Sequence, residues 1–148
     1  MATLTLATAD RIADAALSEG TTRWFAPLCV VVLDAGGHAL VVKRDERSSI
    51  GRVEIATGKA HGCLAMGFGG RELARRADAV PTFFTALAAV LPKGIVPVPG
   101  GVLVRDGEGG LLGAVGISGD TSDNDELCAV AGIEAVGLVA DTGDGSPP

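Results

Sequence analysis

GAVGISGDTSDNDE, residues 113–126, passes within a few positions from small and β-branched residues into a cluster of acids. Three chemistries use such a junction. A dinucleotide fingerprint needs G-x-G-x-x-G between a strand and a helix, whereas Gly113, Gly116 and Gly119 stand at G-x-x-G-x-x-G. Asp120, Asp123, Asp125 and Glu126 occupy the place where a phosphate would dock, and they already answer the positive end of a helix dipole. A calcium loop of the EF-hand type needs alternating acids, a glycine at its sixth position and a glutamate at its twelfth, a register missing here. What remains is a strand end feeding a helix. Thr121, Ser122 or Asp123 caps that helix, and Leu127, Val130, Ala131 and Val136 turn inward. The glycines, lacking side chains, leave room for a ligand or another backbone to come close.

Working outward, GVLVR (101–105), DGEGG (106–110) and LLGAVGIS (111–118) read as strand, turn and strand. The same logic appears earlier in PLCVVVL, DAGG and HALVVK, residues 27–43. Ala9, Ile12, Ala13, Ala16 and Leu17 share one face of a first helix that Thr5 or Thr8 caps. Ile50, Val53, Thr57, Ala60 and Leu64 mark a second helix over residues 49–66. RELARRADAV (71–80) and TFFTALAAVL (82–91) read as two more helices separated at Pro81, and PKGIVPVPGG (92–101) as a loop. The final helix is read over 122–139. Two hairpins embedded in helical material predict an α+β fold, a single antiparallel sheet of about five strands flanked by helices. Residues 1–140 form the one domain, and 141–148, with nothing to bury, are expected to be a mobile tail.

A chain of 148 residues buries about 70% of the surface its unfolded form exposes, so it needs no staple to fold. Hydrophobic residues make up 47% and aromatics 3%, so the core is built from Ala, Val, Leu and Ile. The net charge of −6 and pI near 4.8 argue against a nucleic-acid or anionic-membrane surface. No apolar run approaches the roughly 20 residues of a membrane span, and the N-terminus lacks the pattern of a secretion signal. A cytoplasmic protein is expected. Cys29, Cys63 and Cys128 have no CxxC spacing and read as buried thiols. GRVEIATGKA has the wrong glycine spacing for a Walker loop, with Ala60 where Ser or Thr must meet magnesium.

VVVLDAGGHALVVKR, IATGKA, PVPGGVLV and GAVGISGDTSDNDELCAVAGIEAVGL, in this order, resemble the haem-degrading-domain family of GlcG, HbpS and PduO C-terminal type. The similarity covers nearly the whole chain before the tail. It implies an antiparallel sheet flanked by helices, self-assembly into a homo-oligomer, and a pocket for haem or another small molecule. The matching motif positions are His38, Arg44, Lys59, Gly100, Gly101, Asp125 and Glu126.

Haem needs an axial ligand, and His38, His61, the thiols and Met66 are the candidates. His38 opens a strand after a turn, where it is either a ligand or a solvent-facing residue. His61 is a ligand, a proton shuttle or a hydrogen-bonded structural residue, and the best single acid/base candidate. At about 100° per helical residue, Lys59 and His61 point roughly 200° apart and do not easily address one small ligand. Lys59 either finds a carbonyl or carboxylate partner or holds an anion. Arg44 either binds a substrate carboxylate or pairs with Asp45 or Glu46. Gly100 and Gly101 would line the substrate side of a pocket between the second helix, the VPVPGG loop and the third strand, and no metal site is expected. Three functions stay open. The first is a binding domain for a haem-like or other small ligand. The second is an enzyme of lyase, isomerase or hydratase type, with Arg44 or Lys59 gripping an anion and His61 or Asp125 moving protons. The third is an interaction module.

Overall fold

Thr5 takes an extended backbone and its hydroxyl accepts the Thr8 amide at 3.1 Å, so α1 (Leu6–Thr22) begins where the sequence offers a cap. β1 (Cys29–Asp34) and β2 (Ala39–Arg44) form the first hairpin. Three helices follow: α2 (Arg52–Met66), α3 (Gly70–Ala79) and α4 (Pro81–Val90), the last opened by a proline whose missing N–H is not needed there. β3 (Gly101–Arg105) and β4 (Leu111–Ser118) make the second hairpin. α5 (Ser122–Ala135) starts at Thr121, whose hydroxyl accepts the Asn124 amide, and β5 (Val139–Asp141) ends the described elements. The structure is a computed structural model and describes residues 2–145. Its sheet runs β2-β1-β4-β3-β5 with every neighbour antiparallel, the α+β architecture that the two hairpins imply.

The two faces of the sheet differ in side-chain size. Val30, Val32, Val102, Val104, Val115 and Ile117 pack against Ile12, Ala16, Ala129 and Ile133 of α1 and α5. Each such fully buried Val or Ile stabilises the fold by about 1.5–3 kcal/mol relative to exposure. The opposite face carries Val31, Leu33, Leu103 and Ala114 together with Gly101 and Gly116, which pair across β3 and β4. A Cβ on Gly116 would sit 2.0 Å from the Ala56 carbonyl oxygen, and one on Gly101 2.5 Å from that of Lys59. α2 therefore rests with its backbone on the backbone of the sheet.

That close approach rotates α2 away from the expected face. Its buried residues are Ala56, Gly58, Lys59, Ala60, Gly62 and Cys63. Of the stripe read from the sequence only Ala60 is buried, and Ile50 is 87% exposed. A glycine floor admits small residues and excludes large ones. α5 also buries a face other than the expected one: Asp125, Cys128, Ala129, Gly132 and Ile133 face inward, while Leu127 is 42% exposed. α1 lies so close that a Cβ on Gly132 would stand 2.5 Å from the Ile12 carbonyl oxygen.

α5 also ends earlier than expected. Leu138 N–H bonds to the Ile133 carbonyl and Gly137 N–H to that of Glu134, with Gly137 at φ 77°, and the chain turns into β5. The boundary expected at residue 140 thus falls inside a strand. Asp141 belongs to β5, and the Thr142 carbonyl accepts the Arg71 amide. Residues 146–148 of the expected tail lie outside the described residues.

Candidate functional site

Because α2 sits on glycines, Lys59 faces the sheet and its side chain runs to the sheet's end. Nζ donates to the Ile117 carbonyl at 2.9 Å and to Asp125 Oδ2 at 3.1 Å, with Lys59 3% and Asp125 1% exposed. Asp125 Oδ1 accepts the Asp120 amide at 2.9 Å. Burial pushes the Asp125 carboxyl above its usual 3.8, against the pull of the Lys59 charge and the Asp120 amide. Gly100, at φ 114°, leaves the ammonium its passage: a Cβ there would lie 2.7 Å from Nζ. Lys59, Asp125, Gly100 and Gly101 therefore meet at one place. The pocket expected beside them is filled, because Val96 packs on Gly58 and Ile95 on Gly62. Each member of the ion pair is the other's partner, and neither reaches solvent. Glu126, one residue on, faces α3 and accepts from Arg71 Nε at 3.0 Å.

His61 projects from the other side of α2. Its Nδ1 lies 3.0 Å from the Gly94 carbonyl oxygen. A carbonyl only accepts, so Nδ1 donates, and in the neutral ring the lone pair is on Nε2. Nε2 makes no hydrogen bond among the described residues. The ring edge faces the β1–β2 turn, 3.7 Å from where a Cβ on Gly37 would be. His38 belongs to the same turn: its side chain is 78% exposed and its Nδ1 lies 3.1 Å from Asp34 Oδ1. The His38 amide, followed by the Gly36 amide, holds the Asp34 carboxyl below its usual range. Lys93 Nζ donates to the Gly37 carbonyl. Two imidazoles thus flank one turn, each with Nδ1 tethered.

Arg44 stands apart from both groups. Its Nη1 donates to the carbonyls of Asp45 (3.2 Å) and Ser48 (2.9 Å). The salt bridge with Asp45 that the sequence allowed is absent, because Asp45 turns to Arg47 at 2.8 Å. Arg44 makes no ion pair among the described residues. It lines a cleft of about 760 Å³ with Trp24, Phe25 and Val42.

The acid/base set read from the sequence is therefore split three ways: the sealed Lys59–Asp125 pair, His61 at the turn, and Arg44 in the cleft. Cys29, Cys63 and Cys128 are free and buried, and burial pushes their thiols to about 11, 12 and 11. They are protonated and poorly nucleophilic at neutral pH. No group of three or more His, Cys, Asp or Glu side chains able to hold a metal ion occurs among the described residues. Nor is any described helix long and apolar enough to cross a membrane. Sequence reasoning did not single out Asp34, Lys93, Gly94 or Trp24. Asp34 opens a DAGG turn, a signal that its carboxylate would bind nearby amides. Gly94 acts through its carbonyl, which no residue pattern announces.

A family profile described as haem degrading protein HbpS-like matches residues 4–134. The crystal structure of HbpS shares 27% identity, with 91% of each chain covered and a TM-score of 0.79. The Klebsiella pneumoniae protein ORFY shares 26%, covering 93% of this chain and 92% of that one, with a TM-score of 0.82. The fold is also that of PduOC, solved as a haem complex, at 24% identity, 95% and 99% coverage and a TM-score of 0.83. No curated protein matches. With a profile spanning most of its length and the same sheet and helix layers, this chain belongs to the HbpS-like family of haem degrading proteins.

Proposed function

We propose that the protein binds a haem-like ligand, with His61 as the residue that would hold its iron through Nε2. The observation that carries this is the Nδ1–H bond from His61 to the Gly94 carbonyl. A histidine ligand is fixed in tautomer and orientation by such a bond through its other nitrogen, which also raises the basicity of the donor atom. His61 meets this requirement before any ligand arrives. It is half-buried, and so better able than the exposed His38 to hold a ligand against water. Membership of a family described as haem degrading supports the choice of ligand. Haem, when bound, supplies one-electron and dioxygen chemistry. The chain's own part is to present Nε2 and to hold the Lys93 ammonium on the Gly37 carbonyl beside it. Haemin titration followed in the Soret region tests the proposal. A saturable, stoichiometric shift that survives His38→Ala and disappears in His61→Ala is the expected result. An equal shift in both variants, or a non-saturating one in the parent protein, overturns it.

Self-assembly is supported by a separate observation. α4 buries only Phe84, leaving Val80 48%, Phe83 52% and Val90 71% exposed along an apolar helix. Light scattering is expected to give a multiple of 14.8 kDa, falling to a single chain in Phe83→Asp/Val90→Asp.

A further inference from the structure

α1 and α5 end in the same motif with one difference. At the end of α5, Leu138 N–H reaches the Ile133 carbonyl, Gly137 N–H reaches that of Glu134, and Gly137 takes φ 77°. At the end of α1, Phe25 N–H reaches the Gly20 carbonyl, Trp24 N–H reaches that of Thr21, and Trp24 takes φ 59°. The left-handed position after a helix is glycine's, because a Cβ there crowds the following carbonyl. Trp24 is the one non-glycine residue with positive φ among those described, and it is 93% exposed. The largest apolar side chain in the protein thus occupies an unfavourable backbone position and gains no burial from it. Strain that packing does not repay points to a site.

The surroundings of Trp24 identify its chemistry. The indole borders the cleft of about 760 Å³, a volume within the range of small-molecule pockets. Phe25, Leu17 and Val42 give the cleft apolar surface, and Val42 is 47% exposed. Three cations line it, and two of them are neutralised within the chain, Lys43 by Asp10 and Asp14, and Arg47 by Asp45. Arg44 is not. Asp45 and Glu46 also line the cleft, but neither forms an ion pair with Arg44: two backbone carbonyls pin one of its nitrogens, which leaves Nε and Nη2 as a fork bonded to no carboxylate among the described residues.

We propose that this cleft is a second binding site, for a small molecule with a flat apolar body and one carboxylate. The body lies against Trp24 and Val42, and the carboxylate meets the Arg44 fork. This site shares no residue with the His61 turn and does not depend on haem binding.

Trp24 is the only tryptophan and the chain has no tyrosine, so intrinsic fluorescence reports this cleft alone. Titration of the full chain with benzoate, with excitation at the red edge of the indole band where benzoate is transparent, is expected to change Trp24 emission saturably. The corresponding neutral carboxamide is expected to bind about tenfold more weakly, the loss of one charge-assisted hydrogen-bond pair. Arg44→Lys, which keeps the charge and loses the fork, is expected to fall between the two, and His61→Ala to leave the titration unchanged. Because the acid and amide are compared on the same parent protein, the result does not depend on how any variant folds. Equal affinity for acid and amide, no saturable change, or the blue-shifted emission of an indole already covered by another copy would each overturn the proposal.

Discussion

Trp24 and Gly137 hold equivalent places at two helix ends, so the chain contains its own reference for the strain at residue 24. Trp24→Gly is expected to raise unfolding stability by about 1 kcal/mol, read from the urea midpoint, while abolishing aromatic carboxylate binding. A second residue-scale test concerns the buried ion pair. Lys59→Met strands the Asp125 carboxyl in the interior and is expected to cost about 3–5 kcal/mol, much of it regained in Lys59→Met/Asp125→Leu. The sign of the pH effect follows from Asp125. Its folded value is raised, so its protonated form favours folding below the unfolded value of 3.8, and that contribution disappears as pH rises through the folded value. The deficit of Lys59→Met relative to the parent protein is therefore expected to narrow on acidification. The sequence singled out Lys59 as a cation that needs a carbonyl, a carboxylate or an anion, and Asp125 as one of the acids at the start of the last helix. Their pairing was not legible, because 66 positions separate them and only the fold closes that distance.

At the scale of elements, the hairpins and helices could be read because turn residues and caps act locally. Thr5 and Thr121 hold the helix starts that their hydroxyls predict. The inward faces of α2 and α5 could not be read, because apolar periodicity assumes that large side chains point to the core. Here α2 meets glycines of the sheet and turns its smallest residues to them, while α5 brings its own Gly132 against the Ile12 carbonyl oxygen of α1. Gly116→Ala is expected to test this packing severely, since its Cβ would meet the Ala56 carbonyl at 2.0 Å with no side chain able to move aside. A loss of more than about 3 kcal/mol in chemical denaturation, or failure to accumulate folded protein, is the expected outcome. Gly51→Ala, at a helical backbone position where nothing stands within 4 Å, is expected to leave stability unchanged or raise it by up to about 1 kcal/mol.

Across the whole molecule, the start of α5 is tied to distant segments through two aspartates of opposite behaviour. Asp120 accepts the Ala26 amide at 2.7 Å, the Asn124 side chain at 2.7 Å and the Thr121 amide at 2.8 Å, and these bonds hold its carboxyl below 3.8. A lowered value contributes stability above the unfolded value, and the contribution is lost as pH falls through the folded one. Asp120→Asn is thus expected to flatten the acid side of the stability profile, measured by urea denaturation at stepped pH below about 5.

The Lys59–Asp125 contact joins the helix on one face of the sheet to the helix on the other. Two layers held only by their separate apolar seams could come apart one at a time. Here, shifting either layer parts an ammonium from its carboxylate while both are still buried, so partial opening is penalised on both sides at once. The tie makes the three layers one cooperative unit. In amide hydrogen exchange the slowest protons of α2 and α5 are expected to open with the same free energy, and in Lys59→Met those of α5 are expected to open first.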